Sequence, residues 1–144
     1  MCAQLTMIAS ALESKLLFDL EAGFVPPVTS PELEKSLHDT YGYDLLASRS
    51  VWAFGPNSAT GPNVLIDDSF IDNKPKDLYP VRESIVQGFS WACREGPLCD
   101  EPVRGVKFRL LDANLDSSPL HRGAGQVIPT SRRVCYASML TVRF

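Results

Sequence analysis

The chain has 144 residues, 44% hydrophobic and 22% charged, the composition of one globular domain with a core of its own. No run of about 18 apolar residues exists, and no basic segment leads an apolar one at the N-terminus, so neither a membrane span nor a signal peptide is expected. The net charge of −3 argues against general nucleic-acid binding, but it is uneven: residues 1–100 hold 7 Lys+Arg against 14 Asp+Glu, and residues 101–144 hold 7 against 3, so a basic end is available to a partner such as RNA.

In chain order, "AQLTMIA" (3–9) alternates as a strand does. Ser10 with Glu13 reads as a capping box that starts a helix, whose face is Leu12, Leu16, Leu17 and Leu20 and whose stop is Gly23. Ser30-Pro31 restarts a helix with a Leu33, Leu37, Tyr41 stripe, ended by Gly42. A turn-rich stretch follows, then two short strands, "SVWAFG" and "GPNVLIDD". "SFIDNKPKDLYP" (69–80) reads as a mobile polar loop, and from Pro80 a strong helix presents Val81, Ile85, Val86, Phe89 and Cys93 on one face.

Residues 103–115 form the clearest strand. Val106, Phe108 and Leu110 alternate with Lys107 and Arg109, and at Leu110-Leu111 the phase flips, which a β-bulge would produce. "IPTSRRVCYASMLTV" (128–142) reads as a final helix with Pro129 in its first turn. The order β, α, α, β, β, α, β, α points to an α+β domain: a small mixed sheet with helices on one face, of split β-α-β type.

Cys2, Cys93, Cys99 and Cys135 show no C-x-x-C spacing, and only His38 and His121 could join them, so the sequence supports no zinc site and suggests reduced, mostly buried thiols of an intracellular protein.

"SPLHRGAGQVIPTSRR" (118–133) holds the functional candidates. A nucleotide P-loop needs Lys and a hydroxyl after its last glycine; Gln126 and Val127 stand there. A dinucleotide fingerprint needs a third glycine where Ile128 stands. Nucleophilic catalysis would pair His121 with Cys135 or a serine, with no carboxylate nearby to orient the histidine. Two readings remain open. The glycines serve an ordinary strand-to-helix turn, or the loop is a contact surface. In the second, Gly123 and Gly125 admit close approach, helix-start N–H groups receive phosphate, His121 and Arg122 meet unpaired bases, and Arg132 and Arg133 grip backbone phosphates.

These residues resemble a known family. "HRGAGQVIPTSRRVCYAS" is similar to the tip loop and following helix of domain IV in the elongation factor 2 family of GTPases. "SVWAFGPNSATGPNVLIDD" resembles that family's Trp-x-Phe-Gly-Pro…Thr-Gly-Pro-Asn segment, and "SIVQGFSWACREGPLCDEPVRGVKFRLLDA" its helix, turn and long strand. "REGPLCDE", Pro119-Leu120 and "NVLIDDS" look like the spliceosomal branch rather than the translational one.

The resemblance implies one domain IV-like module over residues 1–144, without the family's first strand and upstream GTPase domain. It implies an RNA- and protein-contacting domain of a spliceosomal GTPase, a component of a small nuclear ribonucleoprotein in pre-mRNA splicing, with spliceosomal RNA and proteins as partners and a nuclear location. GTP and magnesium would serve the full-length parent, and no catalytic, cofactor or metal residue is expected here. The implied contact residues are His121, Arg122, Gly123, Gln126, Arg132 and Arg133. The alternative is the translocation domain of elongation factor 2, cytoplasmic and ribosome-bound, in which the histidine matching His121 becomes diphthamide. The family's three tip glycines read here Gly123-Ala124-Gly125, and a Cβ makes a left-handed conformation costly at Ala124.

Overall fold

The computed structural model of the chain describes residues 3–69, 78–115, 118, 120 and 123–142, with backbone alone at 78–80. The elements are β1 (Gln4–Ala11), α1 (Ser14–Ala22), α2 (Glu32–Tyr41), α3 (Leu45–Arg49), β2 (Val51–Gly55), β3 (Asn63–Asp67), α4 (Leu78–Arg94), β4 (Val106–Asn114) and α5 (Ala124–Thr141). The four strands form one mixed sheet in the order β1-β4-β3-β2; β3 and β4 are parallel and the outer pairs antiparallel. The β-α-β unit is β3–α4–β4, and its two strands lie side by side.

This is the expected α+β class. The long helices α4 and α5 share one face of the sheet, where Leu5, Met7, Ala53, Leu65, Phe108 and Leu110 meet Ile85, Phe89, Val127 and Cys135. Phe89 and Phe108 stack edge to face at 5.5 Å, a geometry that adds to the value of their burial. The other face is covered too, over β2 and β3, by Leu16 and Leu20 of α1 and Leu33 and Leu37 of α2 packed on Phe54, Val64 and Ile66. Both faces of β3 are therefore buried, and its run "NVLID" does not alternate.

The bulge falls where the phase flips. Thr6 pairs with Asp112 and Met7 with Leu110, which leaves Leu111 unpaired. Gly23 and Gly42 end their helices in the left-handed region, at φ 79° and 71°, where a side chain would be strained.

The expectation of helices on one face is corrected by α1 and α2 on the other, and four local expectations need correction as well. No capping box forms at Ser10: β1 runs on to Ala11, Ser10 pairs with Lys107, and α1 begins at Ser14 without a side-chain cap. Sheet pairing wins over the local signal, and the Glu13 carboxylate is held instead by Lys107 Nζ at 2.6 Å and the Tyr43 hydroxyl at 2.9 Å. Burial pushes that carboxyl up, but these hydrogen bonds outweigh it and hold it below the usual range. The turn-rich stretch contains α3, whose first turn is capped by the Asp44 side chain accepting from Ala47 N–H at 2.7 Å. The helix expected from Pro80 begins at Leu78. Finally, α5 begins at Ala124, not Ile128, so the second glycine lies inside the helix and Pro129 in its interior. The polar loop expected over 69–80 falls mostly outside the described residues.

Candidate nucleic-acid and partner interface

His121 and Arg122 lie outside the described residues. The other four expected contact residues belong to α5, but not to one spot. Gly123 is the N-cap, extended at φ −63° and ψ 153°, and Gln126 is exposed in the first turn. Arg132 and Arg133 follow roughly 10 Å along the axis, at about 1.5 Å per residue.

Both tip glycines have room for a side chain. Gly123 and Gly125 are not among the residues with positive φ, so left-handed geometry is not what places glycine at either position. A Cβ added at Gly125 would meet nothing within 4 Å, and one at Gly123 only the Leu120 carbonyl at 3.9 Å. Glycine inside a helix costs up to about 1 kcal/mol relative to alanine. The backbone here is thus left bare at a cost, with no return inside the domain. Ala124 is an ordinary helical residue, so its Cβ meets no left-handed strain.

The N–H groups of Gln126 and Val127 both donate to the Gly123 carbonyl, at 2.9 and 3.1 Å. No side chain caps the helix, so those of Ala124 and Gly125 have no acceptor among the described residues. Pro129 has no N–H to offer the Gly125 carbonyl. The first turn of α5 therefore exposes backbone donors at the positive end of an 18-residue helix.

The two arginines part company. Arg132 is built into the α4–α5 joint: its guanidinium lies over the Trp91 ring at 4.1 Å and the Tyr136 ring at 4.9 Å, its Nε donates to the Tyr136 hydroxyl at 3.0 Å, and Glu95 Oε2 is 3.8 Å away. The Tyr136 hydroxyl in turn donates to the Glu95 carbonyl. Arg133, seven residues after Gln126, falls on the same exposed stripe as Gln126, and it is exposed with no ion-pair partner among the described residues.

The basic excess of residues 101–144 is largely absorbed in the same way. Arg104 pairs with Glu21, Lys107 with Glu13, and Arg109 with Asp68. Among the described residues of that region, only Arg133 keeps a cation free for a partner.

Cys135 has no exposed surface, and burial pushes its thiol up to about 12. Its Sγ lies 3.8 Å from Met7 Sδ in the core. Cys93 is buried and its thiol raised, while Cys99 is exposed. Of these three, a thiol reagent should modify Cys99 within minutes and reach Cys93 and Cys135 only on unfolding. Fast labelling of Cys135 in the folded chain, read by peptide mass spectrometry, would restore it as a candidate nucleophile. No group of three or more His, Cys, Asp or Glu among the described residues is placed to hold a metal, and none of the helices described is long and apolar enough to cross a membrane.

Comparison with known proteins agrees with this architecture. The chain is 49% identical over 139 residues to the 110 kDa U5 small nuclear ribonucleoprotein component CLO of Arabidopsis thaliana, covering 95% of this chain and 14% of that protein. It is 49% identical over 139 residues to the 109 kDa component GFL of the same plant, with the same coverage. It is 47% identical over 141 residues to the pre-mRNA-splicing factor cwf10 of Schizosaccharomyces pombe, covering 96% of this chain and 14% of that protein. The chain thus spans about one-seventh of the length of these relatives. Residues 27–143 match the family described as elongation factor G, domain IV, and the chain belongs to that family.

Proposed function

We propose that this chain is the RNA- and protein-contacting domain of a spliceosomal GTPase resembling elongation factor 2, acting in pre-mRNA splicing within a small nuclear ribonucleoprotein in the nucleus. The observation that carries the reading is identity of 47–49%, over nearly the whole chain, to two U5 small nuclear ribonucleoprotein components and a splicing factor. Contact at the tip is supported by the bare first turn of α5, with its free N–H groups, unneeded glycines, and Gln126 and Arg133 on one exposed stripe.

GTP and magnesium belong to the parent. The residues here do not fit them: Gln126 and buried Val127 stand where a phosphate loop needs its lysine and hydroxyl. By this reading the chain itself hydrolyses nothing and acts as a rigid arm, positioned by the nucleotide state of the parent. α5 is suited to that role because its stripe of Val127, Ser131, Cys135 and Ser138 is buried, Ser131 bonding to α4 and Cys135 lying against Met7 of β1.

Gly125→Ala tests the reading. It should raise the unfolding free energy by about 0.5–1 kcal/mol, since it adds only helix propensity, and should lower the RNA crosslinked to the tip severalfold in cells. A gain in stability with unchanged crosslinking would show that the bare backbone serves no partner. Arg133→Glu should weaken crosslinking without changing stability, whereas Arg132→Ala should lower stability by about 1–2 kcal/mol through loss of its stacked, hydrogen-bonded place.

A further inference from the structure

The bulge in β4 falls where that strand leaves the middle of the sheet. β3 pairs with β4 from Lys107 to Leu110, and the Asp68 N–H still donates to the Leu110 carbonyl at 2.9 Å. Beyond Leu110, the residues Asp112, Ala113 and Asn114 pair with β1 alone, opposite Thr6, Leu5 and Gln4. They form the free end of a two-stranded ribbon, and residues 115–123 join that end to the start of α5. Leu111 stands at the root of the ribbon as one residue more than β1 needs, so that Thr6 faces both Leu111 and Asp112.

The core does not require the extra residue. Val106, Phe108 and Leu110 are buried before it and Ala113 after it. Without Leu111 the strand would alternate unbroken, inward at 106, 108, 110 and 113 and outward at 107, 109, 112 and 114, so the core would receive the same side chains. Leu111 itself is half-buried and belongs to neither core cluster. The other register shift of the sheet, beside Trp52 of β2, differs, because the Trp52 side chain packs against the core. An extra residue that fills no core space still changes geometry. It bends its strand and increases the local right-handed twist, and a two-stranded ribbon takes up more twist than the middle of a sheet does.

We infer, on the reading of the segment between β4 and α5 as the RNA-contacting tip, that Leu111 is a positioning residue for it: the bulge turns the Gln4–Thr6 and Asp112–Asn114 ribbon and so sets where the tip meets its partner. α5 seats the other end of the segment. Ser131 bonds to α4, and Cys135 lies against Met7, the β1 residue beside the register shift. With that end seated, the direction of the ribbon places the tip. A turn of about 20°, the ordinary twist between strands, over about 10 Å of ribbon moves its end by about 3–4 Å.

Deletion of Leu111 tests this, with Leu111→Ala as the control that keeps the bulge and loses the side chain. Spin labels are placed on Asn114→Cys at the ribbon end and on one of two references, Lys35→Cys of α2 or Arg94→Cys of α4, which lie on opposite faces of the sheet; Cys2→Ser and Cys99→Ser remove competing thiols. The deletion should leave the melting temperature unchanged or raised and move at least one of the two distances by about 3–4 Å. In cells it should lower the RNA crosslinked to the peptides spanning His121 to Arg133 severalfold. Leu111→Ala should match the unsubstituted chain in all three. Unmoved distances, a melting temperature lower by more than about 4 °C, moved distances with unchanged crosslinking, or an equal loss of crosslinking in Leu111→Ala would each overturn the inference and leave the contact reading standing. No RNA on the unsubstituted chain would instead sink the contact reading, and the inference with it.

Discussion

Replacing Asn63 by leucine should lower the unfolding free energy by about 4 kcal/mol, read from urea titration of the purified chain. Asn63 is fully buried at the start of β3. Its Nδ2 donates to the Gly55 carbonyl at 3.1 Å and the Val103 carbonyl at 2.7 Å, and its Oδ1 accepts from Val106 N–H at 3.1 Å. One side chain thus ties the end of β2, the segment after α4 and the first residue of β4. Leucine matches its volume but strands backbone groups away from water, each costing about 1–3 kcal/mol. Asn63→Asp should be as damaging, because it keeps only the acceptor and buries a charge. A loss under about 1 kcal/mol for both variants would mean that the three segments hold one another without it.

Gly88→Ala should destabilise by about 2–3 kcal/mol, although alanine is the better helix former. A Cβ at Gly88 would lie 2.6 Å from the Ile128 carbonyl and 2.6 Å from Ser131 Cβ. Here α4 and α5 pack closely, clasped by the Ser131 hydroxyl donating to the Ile85 carbonyl at 2.8 Å. Because one obstacle is backbone, α5 itself must shift, and the tip shifts with it. The same substitution therefore has opposite signs at two glycines: destabilising at Gly88, where the Cβ meets α5, and stabilising at Gly125, where it meets nothing. Equal melting temperatures for Gly88→Ala and the unsubstituted chain would contradict the packing described for the α4–α5 joint.

Much of the fold was legible where a local pattern and the tertiary structure agree. The phase flip at Leu110-Leu111 marks the bulge because strand burial has a strict period of two. Gly23 and Gly42 stop their helices because each adopts the left-handed conformation. The Val81, Ile85, Phe89 stripe faces the core as its spacing implies. The start of α5 was not legible, since Gly123, Gly125 and Pro129 speak locally against helix. Burial of Val127 and Ser131 against α4 overrides that propensity. Helical cover on the second face was hidden as well, because a strand buried on both sides carries no alternation.

The site was legible as a stretch but not as an arrangement. Arg132 and Arg133 are neighbours in sequence with different roles, and spacing alone cannot show that Trp91 and Glu95 wait across the helix joint for one of them. Asn63 stood in a quoted motif, yet its three partners lie 8, 40 and 43 residues away.

The partner of the tip decides between splicing and translation. Ultraviolet crosslinking in cells, with the native locus tagged and RNA sequenced from the peptides spanning His121 to Arg133, measures that partner directly. Small nuclear RNA and pre-mRNA should appear on those peptides, with less after Gly125→Ala or Arg133→Glu. Ribosomal RNA in their place, together with diphthamide at His121, would contradict it and assign the chain to translation.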